Sequence, residues 1–523
     1  MNLGTLLTNS AERRPESPAF VWGDSTSSYG EADSRTNALA RALTGLGIKR
    51  GDRIALLMHN CPQVIESFFA AWKLGAAVVP LNAHFVDDEI SYHIQDSGAA
   101  TIMFGPEFGQ AMQRLRPELP AVKHFVCTQH PLPGQLSYEV LIASESNISF
   151  SPAEVPDDDI AWLFYTSGTT GRPKGAMLSH GNLIFMAVSW VADLMHLEPE
   201  DVALHAAPLT HGAGFHAIAL VLKGCAQVIM YPPRFNPESL CKHVAAHKVT
   251  NTWLVPTQIK MLLGYDLERW DLSSLKWLVY GGAPMHSADI TEAIERLGPI
   301  LVQLYGQGET PMTGTYLRAQ DHLVDDRHAD RLASCGVARS GTEVRIHDDQ
   351  GRQLPRGRIG EICVRGPSVM KGYWNRPESS AEALRDGWLW TGDVGRMDDH
   401  GFVYILDRNK DMIISGGNNV YPREVEEVLL RHPSIDEVCV IGIPDRVWGE
   451  RVKALVVLKP GCEATADEIV SFASVRMAGY KKPRAVEFVD SLPRNAYGKV
   501  MKRILREQYS SPSQEPDEAS GPE

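Results

Sequence analysis

Short apolar runs alternate with helical patterns along most of the chain. DRIALLM (52–58) predicts a buried strand, CPQVIESFFAAWKLGA (61–76) has helical spacing and ends near a glycine, and AVVPLN (77–82) predicts a strand again. This order places parallel strands side by side under covering helices. We therefore predict an α/β fold with a large N-terminal domain of βαβ-type sheets.

Two further apolar runs lead directly into glycines. LKWLVYGGAP (275–284) and GPILVQLYGQGET (298–310) each read as a strand followed by a glycine turn. Loops at the carboxyl ends of parallel strands are where α/β proteins bind ligands. The alternative is that these glycines only form turns.

The segment YTSGTTGRPKG (165–175) is typical of a loop that holds phosphate. Its glycines expose backbone N–H groups, its hydroxyls add donors, and Lys174 adds a positive charge. It is not a Walker loop, because Pro173 stands where the second glycine is required. A flexible hairpin turn is the alternative interpretation.

Composition excludes several classes of protein. A chain of 523 residues is too long for one core, which predicts at least two domains, and a net charge of −13 argues against nucleic acid as a partner. No pair among the eight cysteines forms C-x-x-C, so we expect buried, reduced thiols and no zinc site. The N-terminus lacks the apolar core of a secretory signal, and charges such as Glu66 and Lys73 interrupt the most apolar stretch. We expect a cytoplasmic protein without an integral membrane segment.

The pattern changes near residue 407. Strands and a Gly-Gly turn lead to a helix that Pro422 suits at its first turn, and strands EVCVIGI and VKALVVL follow. A later helix opens with a capping box formed by Thr465 and Glu468. These elements predict a small α+β domain, and the polar end of the chain predicts a disordered tail.

Six segments resemble, in order, the motifs of the adenylate-forming superfamily, which includes acyl- and aryl-CoA synthetases. They are LFYTSGTTGRPKGAMLSHGNL, YGGAP, YGQGE, WLWTGDVG, LDRNKDMIISGGNNVYPREVE and PRNAYGKVMKR. The acyl-/aryl-CoA synthetase branch, typified by fatty-acid and 4-coumarate CoA ligases, is the most similar. The resemblance implies an adenylating domain (1–407), a hinge (408–410), a mobile C-terminal domain (411–508) and the tail (509–523).

The resemblance also implies where ATP and Mg²⁺ bind. Thr166 and Glu309 match the metal positions, and Tyr305 would stack on adenine. The remaining implied ATP contacts are the phosphate loop (Ser167, Gly168, Thr169, Thr170, Gly171 and Lys174), the adenine-edge turns (Gly282, Ala283, Pro284 and Gly306) and the ribose contacts (Asp393 and Arg408). On their own, Asp393 could form a turn and Arg408 a surface ion pair.

A second set of implied residues concerns catalysis and coenzyme A. Lys499 would bridge the attacking carboxylate and the α-phosphate of ATP, and Lys410 would be the hinge. Gly416 and Gly417 would leave room for the pantetheine chain of CoA. The implied reaction forms acyl-AMP with release of pyrophosphate, and then transfers the acyl group to CoA.

The acid is predicted to be apolar and to lack an amine. In PLTHGAGFHAIAL (208–220), His211 would lie near the carboxylate, and the segment has no acidic residue to hold an ammonium group. Apolar walls are predicted from Ala213, Phe215, Ile218, Val255 and Leu304, which suit a fatty, aryl or alicyclic acid. His211 could equally be structural.

One position departs from the family pattern. Gly308 stands where the family has a threonine, so a phosphate-binding hydroxyl is missing. Two alternatives stay open, that Thr310 or water replaces it and that adenylation is slow, and we expect Gly308→Thr to leave adenylation equal or faster. The sequence leaves open transfer to a carrier protein instead of CoA, a non-catalytic nucleotide-binding relative, and a homodimer.

Overall fold

The structure is a computed structural model. It describes residues 1–145, 150–166, 172–283, 285–322, 329–408, 411–415, 418–445, 448–494 and 500–509, without the side chains of residues 329, 330 and 408. The chain divides into two compact units. The first comprises Met1–Thr391 and Met397–Tyr404, and the second comprises Gly392–Arg396 and the chain from Ile405 onward.

The first unit contains helices and strands in alternation. The helices are α1 (Thr5–Arg13), α2 (Tyr29–Gly45), α3 (Pro62–Leu74), α4 (Asp87–Ser97), α5 (Gly109–Leu115), α6 (Tyr138–Ser144), α7 (His180–Ser189), α8 (Gly212–Lys223), α9 (Pro237–His247), α10 (Pro256–Leu263), α11 (Ser287–Leu297) and α12 (Pro377–Ala383). The strands are β1 (Pro18–Trp22), β2 (Ser25–Ser28), β3 (Arg53–Leu57), β4 (Ala77–Pro80), β5 (Thr101–Phe104), β6 (His124–Cys127), β7 (Leu136–Ser137), β8 (Ile160–Thr166), β9 (Lys174–Ser179), β10 (Val202–His205), β11 (Ala226–Ile229), β12 (Asn251–Leu254), β13 (Trp277–Tyr280), β14 (Leu301–Tyr305), β15 (Thr315–Leu317), β16 (Val337–Ala338), β17 (Glu343–His347), β18 (Gly360–Arg365), β19 (Leu384–Arg385) and β20 (Trp388–Met397), whose second half belongs to the second unit.

Two largely parallel sheets form the first unit. One has the order β16-β15-β14-β13-β12-β10-β11-β1-β2, and the other has the order β7-β6-β5-β3-β4-β8-β9. Helix α3 contacts strands of both sheets, and its residues from Val64 to Leu74 are all buried. Most of its side chains are apolar, and a helix with apolar residues on every side is typically enclosed in a protein core. A smaller sheet contains β17, β18, β20 and β19 in that order.

The predicted strand–helix–strand units are confirmed. DRIALLM forms β3, the following helix is α3, and AVVPLN contains β4, which pairs in parallel with β3. Gly75 ends α3 in the left-handed region, with a φ of 73°. The two glycine-terminated runs form the parallel neighbours β13 and β14, so their turns meet at one edge of the sheet.

The second unit has the predicted α+β composition. It contains β21 (Val403–Arg408, from Ile405 onward), β22 (Ile413–Ser415), β23 (Asn418–Val420), β24 (Ile435–Asp445), β25 (Gly449–Leu458), β26 (Ala485–Phe488), α13 (Pro422–Leu429), α14 (Ala466–Ser474) and α15 (Lys502–Tyr509). Pro422 is in the first turn of α13, and Thr465 with Glu468 forms the capping box of α14, both as predicted. Tyr509 belongs to α15, and the rest of the predicted tail lies outside the described residues.

The prediction for the cysteines is correct with two exceptions. All eight are free thiols, and six are buried, but Cys462 is exposed and Cys61 is half-buried. Cys462 follows a surface turn at Gly461, where no neighbouring element covers it. Among the described residues, no helix is long and apolar enough to cross a membrane.

Candidate active site

Strands β8 and β9 form the hairpin that carries the predicted phosphate loop. Thr166 at the end of β8 pairs with Lys174 at the start of β9. The residues between them that were predicted to hold phosphate, Ser167, Gly168, Thr169, Thr170 and Gly171, lie outside the described residues. In the described part of the segment, the Pro173 carbonyl accepts a hydrogen bond from the Tyr92 hydroxyl at 2.7 Å.

Glu309 is the charged group at the centre of the site. Its side chain is buried in the loop after β14, and its Oε1 accepts hydrogen bonds from Thr166 Oγ1 at 3.0 Å and from the Tyr373 hydroxyl at 2.8 Å. No described Lys, Arg or His forms an ion pair with it. The structure therefore brings Thr166 and Glu309 together as predicted, around a carboxylate that lacks a counter-charge among these residues.

Tyr373 was missed by the sequence analysis. It lies in a segment that runs alongside β9, where Trp374 N donates to the Gly175 carbonyl at 2.8 Å and Met177 N donates to the Gly372 carbonyl at 2.9 Å. The ammonium of Lys174 is 5.3 Å from the centre of the Tyr373 ring. Only a pairing distant in sequence brings this tyrosine to the site, and no local pattern indicates it.

The predicted adenine turns meet at the ends of β13 and β14. Gly282 has a φ of 81°, and a Cβ at Gly281 would lie 2.6 Å from the Leu304 carbonyl oxygen. A Cβ at Gly306 would lie 2.7 Å from the Met312 Cα. Glycine is required at these three positions by conformation or by space. Tyr305 and Ala283 are partly exposed at this edge, and Pro284 lies outside the described residues.

Gly308 contradicts the expectation that a threonine would be tolerated there. A Cβ at this position would lie 2.4 Å from Cδ1 of Phe164 and 2.7 Å from Cγ2 of Thr166. The Phe164 ring therefore occupies the space of the missing side chain. Thr310 is buried, and its Oγ1 accepts a hydrogen bond from Gln307 N at 3.2 Å within the turn, which leaves its O–H proton available as a donor.

His211 directly precedes the first residue of α8, and its ring lies beside Phe164. The two rings stack with centres 4.6 Å apart and an interplanar angle of 29°. Burial lowers the pKa of His211 to about 4. The imidazole is consequently neutral near pH 7, and it cannot provide the counter-charge that Glu309 lacks.

Phe164 connects the two halves of the site. Its ring lies between His211 and Gly308, and Glu309 directly follows Gly308 in the chain. On the other side, the ring stacks on Phe215 of α8 at 5.2 Å. The carboxylate and hydroxyls thus lie next to an aromatic, apolar region.

The predicted acid walls fall on two sides of α8. Phe215 packs on Trp162 and Phe164 of β8, whereas Gly212 faces Trp253 of β12. Ala213, Ile218 and Leu304 are buried, and Val255 is half-buried. That these apolar side chains line the site of the acid stays a prediction.

The remaining predicted residues belong to the second unit. Asp393 lies on β20 and is buried, while Arg408 ends β21 and its side chain is outside the description. Lys410, Gly416, Gly417 and Lys499 also lie outside the described residues.

Comparison with protein families finds two matches that together span most of the chain. Residues 7–374 match the AMP-binding enzyme family, and residues 424–499 match the AMP-binding enzyme C-terminal domain. These matches confirm the predicted family, and they fall on a large N-terminal region and a smaller C-terminal one.

Individual relatives match over nearly their whole length. A feruloyl-CoA synthase from Amycolatopsis is 38% identical over 97% of this chain and 99% of its own length. The medium/long-chain-fatty-acid–CoA ligase FadD8 of Mycobacterium tuberculosis is 34% identical over 97% of this chain and 90% of its own.

A solved structure confirms the predicted fold. The amide bond synthetase McbA from Marinactinospora thermotolerans is 30% identical, with a TM-score of 0.89 over 97% of this chain and 100% of its own. The names of the two CoA-forming relatives agree with the predicted class of acid–thiol ligases. On the family matches and on these relatives, the chain belongs to the AMP-binding enzyme family.

Proposed function

We propose that this protein is an AMP-forming acyl-CoA ligase that activates a carboxylic acid whose remainder, apart from the carboxylate, is uncharged and largely apolar. The observation that carries the proposal is the buried Glu309 carboxylate, which receives two hydroxyl donors, lacks an ion-pair partner among the described residues, and adjoins an aromatic region at His211 and Phe164. A site for phosphate-bound metal next to a site for an apolar acid is what adenylation of such an acid requires.

The residues at Glu309 fit a magnesium ion. Mg²⁺ prefers oxygen ligands and is commonly held by one or two carboxylates together with substrate phosphates. The carboxylate of Glu309 and the hydroxyl of Thr166 are such ligands. No cluster of three His, Cys, Asp or Glu side chains occurs in the described part of the chain, so a shared site of this kind is favoured over a permanent cage. When bound, the metal would neutralise phosphate oxygens.

The apolar surroundings of His211 support an acid without a charged tail. Burial keeps this imidazole neutral, so it would orient the carboxylate by hydrogen bonding and not by charge. The aromatic stack through Phe164 fixes its ring plane. Two relatives are named for ferulate and for medium- and long-chain fatty acids, and both kinds of acid are largely apolar apart from the carboxylate.

Roles for the second unit follow from family membership. We propose that Asp393 and Arg408 contact the ribose, that Lys499 bridges the carboxylate and the α-phosphate, and that Lys410 is the hinge. Gly416 and Gly417 would line the passage for pantetheine. A cation is useful when two anions are forced together, whereas attack of a thiol on a neutral carbonyl needs an open passage.

The test is pyrophosphate release from the purified full chain. ATP, Mg²⁺ and a panel of fatty, aryl and alicyclic acids are supplied with CoA, with a phosphopantetheinyl carrier protein, or with an amine in place of CoA. The proposal expects acid-dependent pyrophosphate release and a thioester only with CoA. Thioester on the carrier would favour the carrier-loading alternative, and an amide product would favour the activity named for the structural relative. No release with any acid would contradict the ligase assignment. Light scattering of the same sample tests whether the protein is a homodimer, which the sequence leaves open.

A further inference from the structure

A buried ion pair contacts the turn that carries Glu309. Arg339 directly follows β16, and Asp193 lies in one turn of π-helix, Trp190–Leu194, that continues α7. Arg339 Nε donates to Asp193 Oδ2 at 3.2 Å, and the two side chains are 0% and 3% exposed. Burial lowers the pKa of Arg339 to about 10, so the guanidinium stays charged near pH 7. We refer to Arg339 and Asp193 as the buried pair.

The carboxylate of the buried pair is fixed by several further donors. Asp193 Oδ2 accepts from Ser340 N at 2.9 Å, and its Oδ1 accepts from the Ser340 hydroxyl at 2.7 Å. The hydroxyl of Ser189, the last residue of α7, donates to Oδ2 at 3.2 Å. The carboxylate is therefore held from α7 and from the chain after β16, and it fixes the direction of the guanidinium.

Arg339 holds the end of the turn that connects β14 to β15. Its Nη1 donates to the Met312 carbonyl at 3.3 Å, and its backbone N donates to the Gly314 carbonyl at 3.1 Å. Gly314 N donates in turn to the Tyr305 carbonyl at 3.0 Å, which closes the turn. Glu309 lies between these points, so the position of its backbone depends on where Arg339 holds Met312 and Gly314.

Met312 connects this turn to both sides of the candidate site. Its φ is 59°, in the left-handed region that residues other than glycine rarely adopt. Its Cα lies 2.7 Å from the place of a Cβ on Gly306, in the predicted adenine turn, and its Sδ lies 3.2 Å from the place of a Cβ on Gly212, next to His211. A movement of the Met312 carbonyl would therefore displace groups on both sides.

Stability alone does not account for the buried pair. The desolvation of two buried charges offsets much of their attraction, so apolar side chains in their place are often equally stable. Arg339 Nη2 also has no hydrogen-bond partner among the described residues, which adds to the cost of burying this side chain. The remaining contribution of the guanidinium is the place in which it holds the Met312 carbonyl.

We propose that Arg339 is a positioning residue for adenylation. Through Met312 it holds the turn so that Glu309 and the predicted adenine turn have the arrangement that binds MgATP. Arg339 acts through the backbone of the turn and not by contact with a substrate. The kinetic part of this inference rests on the proposed ligase function, whereas the binding of ATP follows from the family.

The experiment uses a double variant without buried charge, Arg339→Met with Asp193→Asn. It leaves no unpaired charge, and the asparagine keeps an acceptor for Ser340, so thermal unfolding should stay close to that of wild type. The variant has no donor for the Met312 carbonyl. Calorimetry on the full chain should therefore show a Kd for MgATP that is about tenfold higher, and pyrophosphate release should show a KM for MgATP that rises more than kcat falls.

The matched control is another buried ion pair of the first unit. Lys73 Nζ lies 2.6 Å from Asp33 Oδ1, with side chains 0% and 15% exposed. These residues belong to α3 and α2, which contribute no residue to the candidate site. Lys73→Met with Asp33→Asn makes the same change of charge and should keep the Kd for MgATP within about twofold of wild type, because sites without shared partners act independently.

Arg339→Lys provides the test if the double variant does not fold, as judged by circular dichroism. Lysine keeps a positive charge beside Asp193 but lacks the planar fork with which arginine reaches both Asp193 and Met312. The Kd for MgATP should then rise by about three- to tenfold.

The outcomes separate this inference from the ligase proposal. A wild-type Kd and KM for MgATP in the folded double variant, or in Arg339→Lys where only that variant folds, would overturn the inference. An equal loss in the Lys73 control would also overturn it, because the effect would then follow the general stability of the unit. Release of pyrophosphate with no acid would contradict the ligase assignment, whereas calorimetry with MgATP would still decide the role of Arg339. Absence of MgATP binding to wild type would overturn both.

Discussion

Buried carboxylates occur in both units of this protein, but they differ in whether a described cationic side chain lies beside them. In the second unit, the Lys502 ammonium lies 3.0 Å from Glu426 and 3.8 Å from Asp407. In the first unit, Glu309 accepts hydrogen bonds from two neutral hydroxyls and has no ion-pair partner among the described residues. A lysine of the chain compensates the carboxylates of the second unit, whereas we propose that a cation arriving with the substrate compensates Glu309.

The pKa of Lys502 also reflects the neighbouring carboxylates. Burial by itself would lower the pKa of Lys502, but Glu426 and Asp407 outweigh that effect and raise the pKa above its usual value. These carboxylates also accept backbone N–H groups, Glu426 from Val440 at 2.8 Å and Asp407 from Arg423 at 3.1 Å. The ion pairs of Lys502 therefore hold α15 against the rest of the second unit. The charge of Glu309 has no such ion pair among the described residues, so it contributes little to the stability of the first unit. It is therefore suited to binding a cation.

Replacing Glu309 with glutamine should give the largest effect. Glu309→Gln removes the negative charge that would attract Mg²⁺, so pyrophosphate release should fall about 10³-fold, which corresponds to about 4 kcal/mol. Thermal stability should be unchanged or higher, since an unpaired buried charge is lost. Steady-state pyrophosphate release and differential scanning calorimetry measure the two quantities.

Glu426→Gln is the matched control for this substitution. It removes a buried carboxylate that does have a cationic partner, and it should lower stability. If Glu309→Gln lowers stability as much as Glu426→Gln does, Glu309 has a structural role and the contrast between the units disappears.

Lys502→Met should destabilise the second unit by about 3 kcal/mol. The substitution leaves Glu426 and Asp407 largely buried without their cation, and the loss lies at the lower end of the range for buried pairs because Lys502 keeps 18% of its side chain exposed. Urea unfolding followed by circular dichroism measures the change. Arg503→Met breaks the exposed pair with Glu507 and should cost less than about 1 kcal/mol. Equal losses in the two variants would show that Lys502 does not compensate buried charge.

Tyr373→Phe should have an intermediate effect on activity. It removes one of the two hydroxyls that donate to Glu309 but keeps the ring that faces Lys174. A hydrogen bond to a charged group contributes about 1.5–3 kcal/mol, so the KM for MgATP should rise about tenfold or more. Kinetics at varied Mg²⁺ concentration test this. A fall in kcat with an unchanged KM would indicate that Tyr373 does not position the metal ligand.

Gly308→Thr should reduce activity by about tenfold, because the new Cβ overlaps the Phe164 ring and overpacking costs about 1–3 kcal/mol. Phe164→Leu removes the obstructing ring, so the double variant should recover part of the loss. A double-mutant cycle on kcat/KM measures the coupling. Additive effects would show that Phe164 does not fill the space of the missing threonine side chain.

The sequence predicted the scaffold better than the contacts of the site. Periodicity identified β3, α3 and β4, and glycine placement identified the turns after β13 and β14, because both signals are local in the chain. The resemblance to the family predicted that Thr166 and Glu309 belong to one metal site. Tyr373 could not be found in this way, since only its pairing with β9 brings it to the site.

The same limit explains the mistaken expectation at Gly308. A single position suggested a missing hydroxyl, but the space is taken by Phe164, which lies far away in sequence.

His211 should give the smallest effect, and it tests whether the first-unit site contains a hidden counter-charge. With a pKa of about 4, lowered by burial from 6.5, the folded imidazole is neutral throughout the neutral range. The kcat/KM for the acid should therefore show no loss attributable to this group as the pH falls from 7.5 to about 5.5.

The free energy of unfolding, in contrast, should change with pH in this range because of His211. The unfolded chain takes up a proton at His211 below about 6.5 and the folded chain does not until about 4, so the contribution of His211 is full above 6.5 and declines as the pH falls between these values. His211→Gln keeps a hydrogen-bonding side chain and removes the titration, so the stability of this variant should decline less than wild type between pH 6.5 and 4.5. Urea unfolding at a series of pH values, with kcat/KM measured on the same samples, tests both parts. An inflection in the wild-type kcat/KM profile near pH 6.5 that is absent from His211→Gln would mean that the imidazole is charged in the site, and Glu309 would then have a counter-charge within its own unit.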